Sequence, residues 1–184
     1  LPTVVVAPED GLSCPVDALP SAAPLDARVR AIPGLSWRDR GNAAQDVQMQ
    51  SRGFGARSTF GIRGLRLFLD DVPLSANDGQ GSAAAIPEQA PLSLVFLRAP
   101  ESLRYGQASG GVLVADTPGI DPGLSGTLRV MADPDQVRVD GHATARGPED
   151  RPGLRVAASH VDSEGARPHS AYRRSLVHLV ADAP

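Results

Sequence analysis

The 184-residue chain carries 19 Gly and 17 Pro but only 4% aromatic residues, a balance that favours short elements joined by many turns over packed helical bundles. All 18 basic residues are arginine and they face 21 acids, for a net charge of −3; no basic tract follows a phosphate backbone, so nucleic acid is not an expected partner. Cys14 is the only cysteine, which excludes an internal disulfide and any CxxC zinc or redox pair. No apolar run of about 18 residues is present to form a transmembrane helix. The N-terminus lacks the basic-then-apolar order of a signal peptide, so an exported form is expected to have lost its signal already.

Residues 1–24 open with the β-branched run Thr3, Val4, Val5, Val6 and pass through Pro8, Pro15, Pro20 and Pro24, which predicts an extended segment and linker. Leu25, Val29 and Ile32 recur at helical spacing before Pro33-Gly34, predicting a helix of two to three turns. Strands are predicted at Val47 to Arg52, Leu65 to Leu69, Leu92 to Arg98 and Gly111 to Ala115, with Gly-rich connections at 53–64 and 75–91. After Asp116 the texture becomes period-two: Val137 and Val139 alternate with Gln136, Arg138 and Asp140. Further strands are expected at Thr127 to Ala132, Leu154 to Val161 and Leu176 to Val180. Turn signals at Asp133-Pro134, Gly147-Pro148 and Gly165 divide them into antiparallel hairpins.

Four ordered pieces together resemble the plug of TonB-dependent outer-membrane receptors. Ile32-Pro33-Gly34-Leu35-Ser36 is similar to the family's "PGV" turn, and Gln50-Ser51-Arg52-Gly53-Phe54-Gly55-Ala56-Arg57 to its "IRGFGAR". Leu67 to Pro73 resembles "LYVDGIP", followed by Asn77-Asp78-Gly79-Gln80-Gly81 where part of the family carries "PDGQG". Leu97-Arg98-Ala99-Pro100, Tyr105-Gly106 and Ser109-Gly110-Gly111-Val112 resemble "LRGP…LYG…GGV". The stretch Asp162 to Ser170 with Arg173-Arg174 is similar to a hairpin early in some receptor barrels.

The resemblance implies an α+β fold: a plug domain at 25–117 with a small mixed four-stranded sheet and short helices, then antiparallel β-hairpins of an incomplete barrel at 118–184. The strands of the four motif regions are expected to share one core with the helix. It implies that Thr3, Val4, Val5, Val6 and Ala7, within the 1–24 segment, act as a TonB-box-like strand for the energy-transducing protein TonB, which an extended β-branched run suits. It also implies a role in uptake of a scarce small molecule such as an iron-siderophore complex, with anchoring in the outer membrane through a full barrel. Apical plug loops meet the cargo in this family, which assigns ligand contact to Arg57, Phe60, Arg63, Asn77, Asp78 and Gln80; guanidinium groups suit carboxylate or catecholate ligands, the alternative being that Arg57 and Arg63 fix loop shape or meet carboxylates of the barrel.

The sequence also departs from the pattern. Asp71 stands where the family has Gly, Ala99 replaces the Gly of "RGP", and Ser93 and Val95 occupy places of a charged pair. A receptor barrel of about 22 strands of about 10 residues needs roughly 220 residues. The tail supplies about four strands, so the expectation is a fragment, a truncated homologue or an excised plug. The tail holds only Tyr172 as an aromatic, against the girdles of membrane barrels, so its hairpins are expected to fold back on the host domain or self-associate. The alternative reading is a stand-alone soluble periplasmic plug-like binding or interaction module.

No enzyme chemistry is legible. The absence of lysine excludes a Walker loop, the 53–64 glycines lack GxGxxG spacing, and no GxSxG elbow is present. His142, His160, His169 and His178 follow no metal-ligand spacing, so neither a metal nor another cofactor is expected.

Overall fold

The structure, a computed structural model, describes residues 13–15, 25–40, 45–87, 92–148, 151–165 and 167–182. It divides after Thr117 into two units, each taken by itself below. The TonB-box-like residues Thr3 to Ala7 lie outside the described residues.

Among its described residues the first unit is built on seven short strands, one α-helix and a 3-10 turn at Glu101–Tyr105. The strands are β1 (Ser13–Pro15), β2 (Leu35–Arg38), β3 (Gln48–Ser51), β4 (Leu65–Leu69), β5 (Val72–Pro73), β6 (Ser93–Leu97) and β7 (Gly111–Asp116); the helix is α1 (Leu25–Arg30). Five strands form one sheet in the order β1-β6-β7-β4-β5, in which β4 and β7 run parallel and the other pairs antiparallel. The central strand β7 is buried almost throughout, so it reads as a continuous apolar run, Val112-Leu113-Val114-Ala115. On β4 the period-two rule holds: Leu65, Leu67 and Leu69 are buried while Arg66 and Phe68 are half-buried. Leu25, Val29, Ile32, Met49, Ile62, Ile86, Leu94 and Phe96 complete the set of large fully buried side chains.

Three expectations are corrected here. The sheet has five strands rather than four, with the short strands β1 and β5 at its edges. Ser13–Pro15 pairs with β6, with Pro15 on a sheet edge where a missing N–H is tolerated, so part of the expected linker is strand. Strand β5 arises from a tight hairpin in which Asp70 and Asp71 take φ of 48° and 65°; aspartate tolerates the left-handed region better than most residues, so Asp71 performs the turn that the family assigns to Gly. Second, the strand at Gln48–Ser51 does not join the sheet. It pairs with β2 in a separate ribbon, Leu35 opposite Ser51, and Arg52 turns out of it at φ 49°; the first two motif regions therefore form a different sheet from Leu67 and Val112. Third, α1 has only six residues, because Pro33 follows closely and Leu35 N–H bonds back to Ile32 O, turning the chain at once.

The second unit is a meander of four 11-residue strands, β8 (Gly123–Asp133), β9 (Gln136–Arg146), β10 (Gly153–Ser163) and β11 (Tyr172–Asp182), in the order β11-β10-β9-β8. The pairing runs without a bulge along all three interfaces. Asp133 opposes Gln136 across the two-residue turn Pro134-Asp135, where the turn signal placed it.

Register assigns every side chain of this sheet to a face. One face carries Leu124, Leu128, Val130 and Ala132 of β8, Val137, Val139, Ala143 and Ala145 of β9, Leu154, Val156 and Ala158 of β10, and Val177, Leu179 and Ala181 of β11. The other carries Arg129, Arg138, Asp140, Arg146, Arg155, Arg174 and Asp182 among its members. The apolar face is the exposed one, Leu124 and Leu128 being 83% and 73% accessible, while Asp140 and Arg155 are buried at 2% and 3%. Arg138 grips Asp140 through Nε at 2.8 Å, Arg146 pairs with Asp182, and Arg155 donates to the carbonyls of Pro118 and Gly119 at 2.6 and 3.2 Å.

Candidate functional site

Three connections of the first unit meet at one place: the loop after β3, the loop after β5 and the turn before β7. Their backbones are stitched directly. Ile62 and Gly81 exchange both hydrogen bonds at 2.9 and 2.7 Å, Ala76 N–H donates to Gln80 O at 2.8 Å, and Gly110 N–H donates to Gly64 O at 2.7 Å. Gly61, at φ 61°, permits this approach; a Cβ there would lie 2.7 Å from Gln80 Cγ and 2.8 Å from Gly81 O.

Side chains then build a polar cluster on the stitched loops. Arg63 donates to Asp78 Oδ2 at 3.1 Å, to Asp78 O at 3.3 Å and to Gln80 Oε1 at 3.1 Å. Asp78 Oδ1 accepts Gln80 N–H at 3.0 Å, closing an Asx-type turn around Gly79. That backbone donor is the largest influence and, with the smaller contributions of the Arg63 charge and hydrogen bond, lowers the Asp78 carboxyl below its ordinary value against an opposing desolvation that exceeds either Arg63 contribution. The carboxylate is ionised at neutral pH, and the Arg63 guanidinium is committed to it.

Of the six residues assigned to ligand contact, the structure brings Arg63, Asp78 and Gln80 together. Phe60 stands beside them, 59% exposed and next to Gly61, its carbonyl held by Ser58 Oγ at 3.1 Å. Asn77 is exposed in the same turn, and its side chain contributes nothing to the cluster. Arg57 is exposed and bonds to none of the described residues, so it is a solvent-facing cation on the same loop and no member of the cluster. Around this loop, Arg40 holds the carbonyls of Ser58 and Thr59, and Gln48 Nε2 donates to Gly55 O and Ala56 O at 3.2 and 2.7 Å.

Two members were not legible in the sequence. Gln107, at φ 41°, lays its Oε1 over Gly79, where a Cβ would lie 2.7 Å away. Phe54 is 46% exposed and rests its Cβ near Gly110 and Gly64. Only the unusual density of glycine around both, Gly53, Gly55, Gly106 and Gly110, signals that backbones converge there. Among the described residues no group of three or more His, Cys, Asp or Glu side chains is placed to hold a metal.

No family model matches the sequence. The fold is similar to that of the siderophore receptor PirA from Acinetobacter baumannii, with a TM-score of 0.57 at 20% identity over 83% of this chain and 24% of that one. It is likewise similar to the ferric citrate transporter FecA in its unliganded form, with a TM-score of 0.57 at 19% identity over 93% of this chain and 28% of that one. The chain thus spans about a quarter of the length of these two solved proteins. At this identity the likeness is one of fold, and these neighbours are a receptor and a transporter.

Proposed function

We propose that residues 25–117 are the plug and 118–184 the first wall strands of a TonB-dependent outer-membrane receptor that takes up a scarce ligand such as an iron-siderophore complex. The observation that carries this reading is the direct succession of two unlike units: a mixed-sheet domain whose loops gather a polar cluster, then a meander of four equal 11-residue strands. A likeness to one receptor and one transporter that takes in 83% and 93% of this chain supports the same reading.

In this reading residues 3–7 engage TonB, and the cluster of Arg63, Asp78 and Gln80, with Phe60, Arg57, Asn77 and the added Gln107, meets the cargo. The chemistry divides within the loops. Arg63 is neutralised by Asp78 and serves to hold two loops in register, whereas Arg57 is the cation available for a carboxylate or catecholate. Calorimetric titration with ferric citrate and with a ferric catecholate chelate tests this. Arg57→Ala should weaken binding of one of them at least tenfold with unchanged thermal unfolding, and an unaltered affinity would remove Arg57 from the site. A pull-down with the periplasmic domain of TonB should lose its signal on deletion of residues 3–7.

A further inference from the structure

We propose that the β2–β3 ribbon is the holder of the loop at residues 54–61, and that Arg40 and Gln48 are positioning residues that fix the places of Arg57 and Phe60 before any ligand arrives. The consequence for binding rests on the proposed cargo role of this loop; the holding itself does not.

The ribbon stands apart from the five-stranded sheet, and the loop that leaves it is tied back to it at successive points. Phe54 and Ser51, the last residue of β3, exchange both backbone hydrogen bonds at 2.9 and 3.0 Å. Gln48, the first residue of β3, then donates Nε2 to Gly55 O at 3.2 Å and to Ala56 O at 2.7 Å. Arg40, just beyond the end of β2, reaches the carbonyls of Ser58 and Thr59 with its two terminal nitrogens. A buried side chain of the loop itself completes the set, since Ser58 shares its Oγ–H between Phe60 O at 3.1 Å and Gly61 O at 2.7 Å. Hydrogen bonds therefore occupy the carbonyls on both sides of Arg57.

The donors match the task. A guanidinium fork spans two successive carbonyls, and an amide nitrogen carries two N–H groups for two more. Close packing adds to this at Gly55, where a Cβ would lie 2.3 Å from Met49 O, a backbone atom of β3. The freedom of this loop is thus lost on folding and not on binding, which is what makes a recognition surface pre-organised. With the backbone tied inward, the loop turns outward its large side chains: the Arg57 guanidinium and the Phe60 ring, both exposed. Arg40 and Gln48 act on a ligand only through these.

Trypsin digestion of the folded 184-residue chain tests the holding, because Arg57 is itself a cleavage site and Arg104, exposed on the 3-10 turn outside the loop, is a second. Gln48→Glu keeps the side-chain shape but has no donor at neutral pH, and Arg40→Gln removes the fork. Each should speed the cut at Arg57–Ser58 about tenfold while the cut at Arg104–Tyr105 changes less than about twofold. An unchanged rate at Arg57 in both variants would overturn the proposal. An equal rise at both sites would overturn it too, since it reports a loosened unit and no particular hold on the loop. If Arg40→Gln fails to fold, Gln48→Glu decides alone. In the calorimetric titrations, a variant that is cut faster should lose affinity for the same chelate that Arg57→Ala weakens; a faster cut with full affinity would refute the positioning role. A parent chain that binds neither chelate would count against the cargo reading, and the cutting rates would still decide the holding.

Discussion

Both units use the same period-two alternation, yet they send opposite chemistry outward. In the first, β4 buries Leu65, Leu67 and Leu69; in the second, β8 exposes Leu124, Leu128 and Val130 while Arg129 on the other face is half-buried. Alternation fixes only which residues share a face. The solvent decides which face is inside, and the location of buried charge reports the solvent. The first unit's sheet buries leucine, valine and phenylalanine, while the second unit's sheet buries an ion pair and leaves leucine outside.

The sharpest test of this contrast is truncation. Phe96→Ala in the first unit removes a fully buried ring between β7 and the core and should cost about 3–5 kcal/mol. Leu128→Ala in the second, on the exposed face, should stay within about 0.5 kcal/mol in aqueous detergent. Urea titrations monitored by Trp37 fluorescence and by far-ultraviolet dichroism measure the two. A large loss for Leu128→Ala would show that its face packs against protein.

The complementary prediction concerns buried charge. Asp140 is 2% exposed and accepts both Nε bonds of Arg138 at 2.9 and 2.8 Å. Asp140→Ala leaves a guanidinium inside without its carboxylate and should cost about 3 kcal/mol, read from thermal unfolding of the second unit. A neutral outcome would mean that the polar face is hydrated and the inversion incomplete.

How far the sequence reveals this arrangement differs by region for physical reasons. The helix stop at Pro33-Gly34, the strand Leu65 to Leu69 and the turn at Asp133-Pro134 are legible because the signal is local: a missing donor, a period, a pre-set φ. The ribbon of β2 and β3 is not, because Gln48-Met49-Gln50-Ser51 carries no sign of which partner it takes; pairing was settled by Leu35 and Met49 entering the same core. Edge strands as short as Val72–Pro73 fall below any periodicity. At the loop cluster, Arg63, Asp78 and Gln80 could be placed through motif resemblance, but Gln107 reaches Gly79 only through tertiary approach. The tail's alternation was visible. Which face is exposed was not, and register gathers the eight large exposed Leu and Val side chains of this unit on one face.

A smaller effect separates the units by pH. Asp116, at the end of β7, has its carboxyl pushed above the ordinary value by burial, then by the neighbouring charges of Asp71 and Asp70. A raised folded-state carboxyl favours the native state while protonated, so this contribution is present below the unfolded value of 3.8 and is lost as pH rises through the raised folded value. Asp116→Asn should therefore stabilise the first unit at neutral pH and converge with the parent in acid. Parallel stability curves across that range would deny the carboxylate its strain.

The least expected change is at Arg63, and it sets an exposed ion pair against the buried Arg138–Asp140 pair. Arg63 and Asp78 side chains are 50% and 57% accessible, so water screens their attraction and replaces each partner readily. Arg63→Ala should leave the urea midpoint of the first unit unmoved. The effect appears instead in the titration of Asp78, followed by carboxyl carbon NMR. Its lowered carboxyl stabilises the loop above the ordinary value of 3.8, and that contribution is lost as pH falls through the lower folded value. Removing Arg63 deletes the cation, but the larger cause, the Gln80 amide donating at 3.0 Å, remains. The Asp78 carboxyl should move only part of the way back toward 3.8. A complete return would show that the Gln80 amide bond to Asp78 is itself lost when Arg63 is removed.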